Sequence, residues 1–234
     1  AASGETRATR GAAGGSAMRV RVSAAARLHF GFQNLAPERE RLYGGLGVTL
    51  DSPRVAVAAE PAETVRCRAA DAVAAETERT AAEYAERVVA ALGVDGARVT
   101  VESALPRHVG LGSGTQLALC TLSAVARAHG REPDVREVAP RLGRGGRSGV
   151  GVAAFEAGGF VVDAGTPTEP YAAATLADGV RTVPSVAARR DVPEDWRFLL
   201  VVPDAAAGRC GAAEAASMRA VVRDADPGIA DRVE

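Results

Sequence analysis

Apolar residues alternate with polar ones in "MRVRVSA" (18–24) and "RVAVAAE" (54–60), and that period of two predicts a strand at each. Between them "GGLGVTLDSP" supplies turn residues, and its "GLGVTL" run is a further candidate strand. From 71 to 92 the pattern changes to helical spacing. Val73, Tyr84, Val88, Val89 and Leu92 fall near one face, with Gly93 as the stop. "ARVTVES" (97–103) reads as a strand, and 114–129 as a long Ala/Leu helix behind a glycine-rich turn. "DVREVAPRL" reads as a short helix with Asp134 as its cap. "GGFVVDAG" and "WRFLLVVPD" read as strands, and 210–222 as helical. No repeat is visible. Strands cluster early and alternate with helices later, so the fold class is α+β. The Pro- and Ala-rich stretch 166–194 reads as a linker or the start of a second domain.

Composition narrows the chemistry. The chain has 234 residues, 47% hydrophobic and 24% charged, an ordinary globular balance. Aromatics are only 4%, so the core must be built from Ala, Val and Leu. All 28 basic residues are arginines. Without lysine, any cationic contact comes from guanidinium forks suited to phosphate or carboxylate. A net charge of -1 argues against broad nucleic-acid binding. No apolar run approaches the roughly 20 residues that span a bilayer. Cys67, Cys120 and Cys210 are odd in number and have neither zinc nor disulfide spacing, which points to a reducing cytoplasmic setting. The first 17 residues lack an apolar signal core and read as a disordered leader.

The candidate chemistry lies in "VESALPRHVGLGSGTQLALC", where glycines at 110, 112 and 114 precede a helix. First-turn N–H groups and the positive helix end form an anion site, and glycine lets the anion approach the backbone. Ser113 and Thr115 add hydroxyl donors. A Walker loop is excluded because it needs a lysine. A dinucleotide fingerprint needs its glycines directly after a strand, whereas "ALPRHV" intervenes and Thr115 stands at the third glycine. A plain packing turn remains the bland alternative.

"LPRHVGLGSGTQLAL" resembles the P-x-x-x-G-L-G-S-S phosphate loop of the GHMP superfamily, which includes galactokinase, homoserine kinase and mevalonate kinase. Pro106, Gly110, Leu111, Gly112 and Ser113 match, and Gly114 replaces the second serine. "AAARLHFGF" (24–32) looks like the superfamily's first motif. The resemblance implies a two-domain GHMP fold with a ribosomal S5 domain 2-like N-terminal domain over 18–165. Residues 166–234 would then be linker and part of a truncated C-terminal domain. Closer similarity lies with a non-kinase branch, the β-ribofuranosylaminobenzene 5'-phosphate synthases of methanopterin biosynthesis. It is carried by "ARLHFGFQNL", "RLYGGLGVTLDSP", "PRHVGLGSGTQLAL", "GRGGRSGVGVAAFEAGGFVVDAG" and "WRFLLVVPD". That branch implies a transferase joining phosphoribosyl pyrophosphate to 4-aminobenzoate or 4-hydroxybenzoate with loss of CO2 and pyrophosphate. An ATP-dependent GHMP small-molecule kinase and a truncated, non-catalytic phosphate-binding module are the alternatives.

Several GHMP kinases carry an aspartate in a "SGVD" segment, able to act as base; here "RSGVG" has Gly151, with Asp163 the nearest substitute. Arg27 and His29 share one strand face and are the catalytic candidates. Pro106, His108, Gly110, Leu111, Gly112, Ser113, Gly114 and Thr115 are the phosphate or nucleotide candidates. Gln33, Asn34, Tyr43, Arg144 and Arg147 are the substrate candidates, with Tyr43 placed to stack on an aromatic ring. Arg141 and Glu156 are weaker additions, and His129 reads as a surface residue at a helix end. The resemblance implies Mg2+, and ATP if the kinase reading holds; no metal ligand can be named. The expected partners are small molecules, with a homodimer as an open assembly and no nucleic acid or membrane.

Overall fold

The computed structural model describes residues 5–10, 18–36, 39–169, 182–202, 216–217 and 220–221. Its elements are β1 (Glu5–Arg10), β2 (Met18–Asn34), β3 (Arg41–Pro61), β4 (Arg66–Ala69), α1 (Ala75–Leu92) and β5 (Ala97–Ser103). There follow α2 (Ser113–Ala128), α3 (Val135–Val138), a 3-10 turn (Ala139–Leu142), α4 (Val150–Ala157), β6 (Phe160–Asp163), β7 (Thr166–Pro167) and β8 (Val186–Arg190). One sheet runs β1-β2-β3-β5-β4, with β6 pairing on β3 and β8 on β6. Neighbours are antiparallel except β4 with β5. The mixture of helices and a largely antiparallel sheet is the α+β class that the pattern predicts.

The two long strands exceed the short expected ones because each absorbs irregularity. β2 shifts register between Ala25 and Arg27 and again between His29 and Phe32, bulges that let a bent strand keep pairing with β3. α1 and α2 pack on the sheet. Val20, Val22, Val55, Val57, Val99 and Val101 meet Tyr84, Val88, Leu119 and Leu122 in one core. Small and branched aliphatics fill it, as the aromatic-poor composition requires. α2 is buried nearly all round, which explains its apolar run rather than a stripe. Gly93 closes α1 in the left-handed region at φ 60°. Asp134 caps α3 by accepting from Glu137 N at 2.9 Å.

The structure corrects several expectations. Residues 5–10, assigned to a disordered leader, form β1 on the free edge of β2. The helix expected from 71 begins at Ala75, because Val73 N bonds Ala70 O in a turn first. "WRFLLVVPD" is no strand over 196–202: the segment finds no ladder among the described residues, and pattern alone cannot satisfy its backbone. Instead β8, inside the stretch read as linker, extends the sheet beyond 165. The helix expected at 210–222 and Cys210 lie largely or wholly outside the described residues. Among the described residues no helix is long and apolar enough to cross a membrane.

Candidate functional site

The glycine turn is held between β2 and the first turn of α2. Gly110 and Gly112 adopt φ of 84° and 76°, and His108, unusually for a side-chain-bearing residue, 58°. Gly112 is the N-cap, and no side chain caps the helix. The first bond of this turn runs from Gln116 N to Gly112 O at 3.0 Å, so the amides of Ser113, Gly114 and Thr115 precede it. Residues 112–115 are half-buried, within reach of a small anion from solvent, whereas Leu111 points into the core. Pro106 is exposed. Arg107 beside it is tied to α1 through Thr80 Oγ1 (3.0 Å) and Glu76 (3.1 Å), and a narrow cleft lined by Thr77, Leu105, Arg107 and Ser113 adjoins the turn.

Two guanidiniums lie across the turn, each over a glycine. Arg27 donates from Nη1 to Gly110 O at 2.8 Å, and its backbone N donates to Leu111 O at 3.2 Å. A Cβ built on Gly112 would stand 3.2 Å from Arg27 Cζ. Arg144, arriving after the 3-10 turn, donates from Nε to the Tyr84 hydroxyl at 2.9 Å and from Nη2 to the same oxygen. Its Cζ sits 5.5 Å from the Tyr84 ring centroid. A Cβ on Gly114 would stand 2.9 Å from Arg144 Nη2. The glycine in place of the motif's second serine therefore makes room for a cation at the helix mouth. Tyr84, read only as a core position, is the anchor that sequence reasoning missed.

Behind the turn, α4 packs on α2. Gly151 touches Thr115, whose Cγ2 would be 3.1 Å from an added Cβ, and Gln116 Nε2 donates to Gly151 O at 2.9 Å. No side chain can therefore project from 151 toward a ligand without moving Thr115. Asp163, the substitute carboxylate, is fully buried. Its Oδ2 accepts from Ser148 Oγ and Gly149 N, and its Oδ1 from Gly165 N, each at 2.9 Å. It does not face the turn as a base would.

Several other expected site residues are redirected. His29 spends both ring nitrogens on the protein, Nε2 on Ser148 Oγ and Nδ1 on Gly31 N, each at 3.1 Å. Burial, reinforced by the nearby Arg27 charge, holds its pKa below the usual 6.5 against the opposing pull of Asp163. Asn34 is a turn former: Nδ2 donates to Ala36 O and Arg41 O, and Oδ1 accepts from Ala36 N. Tyr43 is buried against Phe32 at 5.3 Å between centroids, so its ring presents no face to a ligand. Gln33 is exposed on the far part of β2. Arg141 pairs with Glu137, and Glu156 with Arg136, on the surface. His129 bonds Gly96 O at 2.9 Å. Arg147 is half-buried beside Ser148. Burial pushes the Cys120 thiol up to about 12 and the Cys67 thiol to about 11, so neither is a nucleophile. No three His, Cys, Asp or Glu side chains converge as a metal site among the described residues.

Residues 68–159 match the family model "GHMP kinases N terminal domain". The chain is 38% identical over 194 residues to the beta-ribofuranosylphenol 5'-phosphate synthase of Methanothermobacter thermautotrophicus, covering 78% of this chain and 57% of that one. It is 34% identical over 186 residues to the synthase of the same name from Archaeoglobus fulgidus, covering 79% and 58%. The chain thus spans somewhat more than half the length of these curated relatives. Among solved structures, the Streptococcus pneumoniae phosphomevalonate kinase aligns at a TM-score of 0.48 with 12% identity, over 65% of this chain and 50% of that one. The glycine turn, its helix and the α4 segment all lie inside the matched span, so it is residues 68–159 that are similar to a GHMP kinase N-terminal domain.

Proposed function

We propose that this chain carries the donor-binding half of a decarboxylating ribosyl-phosphate transferase, a beta-ribofuranosylphenol 5'-phosphate synthase like its relatives. The donor is phosphoribosyl pyrophosphate. The word phenol in the relatives' names makes 4-hydroxybenzoate the favoured acceptor over 4-aminobenzoate. The turn at Gly110–Thr115 takes the diphosphate on its amides, with Arg27 and Arg144 neutralising charge as the bond to C1 of the ribose breaks. Ser113 and Thr115 add hydroxyls, and His108 precedes the same loop. No three described His, Cys, Asp or Glu side chains converge, so the metal would arrive as the donor's diphosphate complex, part of the substrate.

The observation that carries this reading is the filled space at Gly151. A kinase must remove a proton from its acceptor hydroxyl, and neither Gly151 nor buried Asp163 can do so here. The transferase reaction needs no such base. The ring carbon bearing the carboxylate attacks C1, diphosphate leaves with the C–O electron pair, and the carboxylate's C–C pair returns to the ring as CO2 departs. Carbon dioxide takes the place a proton would otherwise hold. The remaining task is positioning.

The test is incubation with phosphoribosyl pyrophosphate, magnesium and carboxyl-labelled 4-hydroxybenzoate, alongside calorimetric titration with inorganic pyrophosphate. Labelled CO2 and pyrophosphate binding are the expected results. Phosphoryl transfer from ATP to an alcohol panel, without CO2 release, would overturn the reading in favour of a kinase.

A further inference from the structure

The bonds around His29 determine its protonation state. The Gly31 amide can only donate, so Nδ1, its acceptor at 3.1 Å, carries no proton. Ser148 has one hydroxyl hydrogen. Asp163 Oδ2, at 2.9 Å, can only accept, so that hydrogen points to the carboxylate. The Ser148 oxygen is then an acceptor toward His29 Nε2 at 3.1 Å and Val150 N at 3.2 Å. Every group has a partner of the right kind in one arrangement only: carboxylate, hydroxyl, then neutral imidazole with its proton on Nε2. Gly45 packs directly on the chain. A Cβ there would lie 2.6 Å from Ser148 Oγ, 2.8 Å from His29 Nε2 and 2.9 Å from Asp163 Oδ2.

We propose that Asp163, acting through Ser148, is a positioning residue that holds His29 as the neutral Nε2–H tautomer and thereby shapes the bulge of β2 beside the glycine turn. The bulge lies between His29 and Phe32, where Gly31 takes φ 107°. Two residues before His29, Arg27 reaches the turn itself. The same carboxylate bonds Gly149 N at the start of α4, whose Gly151 supports Thr115. Asp163 thus joins the two elements that brace the turn, and this role is independent of what the turn binds. Protonating Nδ1 would oppose two N–H groups at Gly31 and place an imidazolium near Arg27. Asp163 is the charge that favours it. Because the folded midpoint is depressed, the unfolded chain binds the proton first. Stability is fully present above pH 6.5 and falls as pH drops from 6.5 through the folded midpoint.

The test is long-range proton–nitrogen NMR on 15N-labelled protein, with His29 assigned by His29→Gln. In the wild type we expect the pure Nε2–H pattern and a titration midpoint below 6.5. Asp163→Asn removes the negative charge, so the midpoint falls further and the tautomers mix. Ser148→Ala leaves the Gly149 and Gly165 amides on Asp163, so the fold persists, while Nε2–H loses its acceptor and only the Gly31 amide still favours that tautomer, so a minor Nδ1–H share appears. Gly45→Ala should mix the tautomers in the same way. A wild-type Nδ1–H pattern, or spectra and midpoints unchanged in both Asp163→Asn and Ser148→Ala, would overturn the proposal.

Discussion

At the scale of single residues, the site is written in what its glycines leave out. Gly112 and Gly114 are each covered by an arginine, and only the first is also required by a left-handed backbone. Gly114→Ser restores the superfamily's usual residue but sets its Cβ against Arg144 Nη2. A guanidinium at the end of a flexible side chain can move aside, so the cost to stability should stay small. Losing one charge-assisted contact to phosphate, however, is worth about 1.5–3 kcal/mol. Pyrophosphate affinity should therefore drop by about tenfold or more while the melting temperature holds. Equal affinity in calorimetry would mean Arg144 does not touch the anion. The sequence shows that arginine alone could serve as cation here, because no lysine exists. It does not show which arginines converge: Arg141, three residues from Arg144, turns outward to Glu137.

At the scale of elements, α2 and the α4 segment form one device. The long helix is recognisable from its apolar run, and its start at Ser113 lies within one residue of the expected boundary. The seam with α4 is not recognisable, because it depends on a glycine with nothing beside it in sequence. Gly151→Asp tests the seam directly. A carboxylate added against Thr115 overpacks the junction, at about 1–3 kcal/mol. Chemical denaturation should report that loss, and ATP-dependent phosphoryl transfer should not appear. A variant as stable as the wild type would show that the space behind the turn is open after all.

At the scale of the whole molecule, the segment after β8 stands apart. Trp196, Phe198, Leu199, Val201 and Val202 are all exposed, Leu199 at 91%. A run of this kind invites self-association. Leu199→Glu should lower light scattering and apolar-dye binding without changing the melting temperature, since a side chain 91% exposed leaves little vacant among the described residues. Unchanged scattering would place the sticky surface elsewhere.

The sequence by itself determined the α+β class, the aliphatic core, most of the early strands and both long helices, because these follow from local periodicity and composition. It also marked the glycine turn, since such a turn is a contiguous stretch whose backbone geometry is set by its own residues. Only the tertiary structure decided which side chains meet there. Tyr84 with Arg144, and His29 with Ser148 and Asp163, are 60 to more than 100 positions apart, and no periodicity encodes such meetings. The same holds for the apolar run at 196–202: a strand exists only where a neighbour completes its hydrogen bonds, and that neighbour is chosen by the fold.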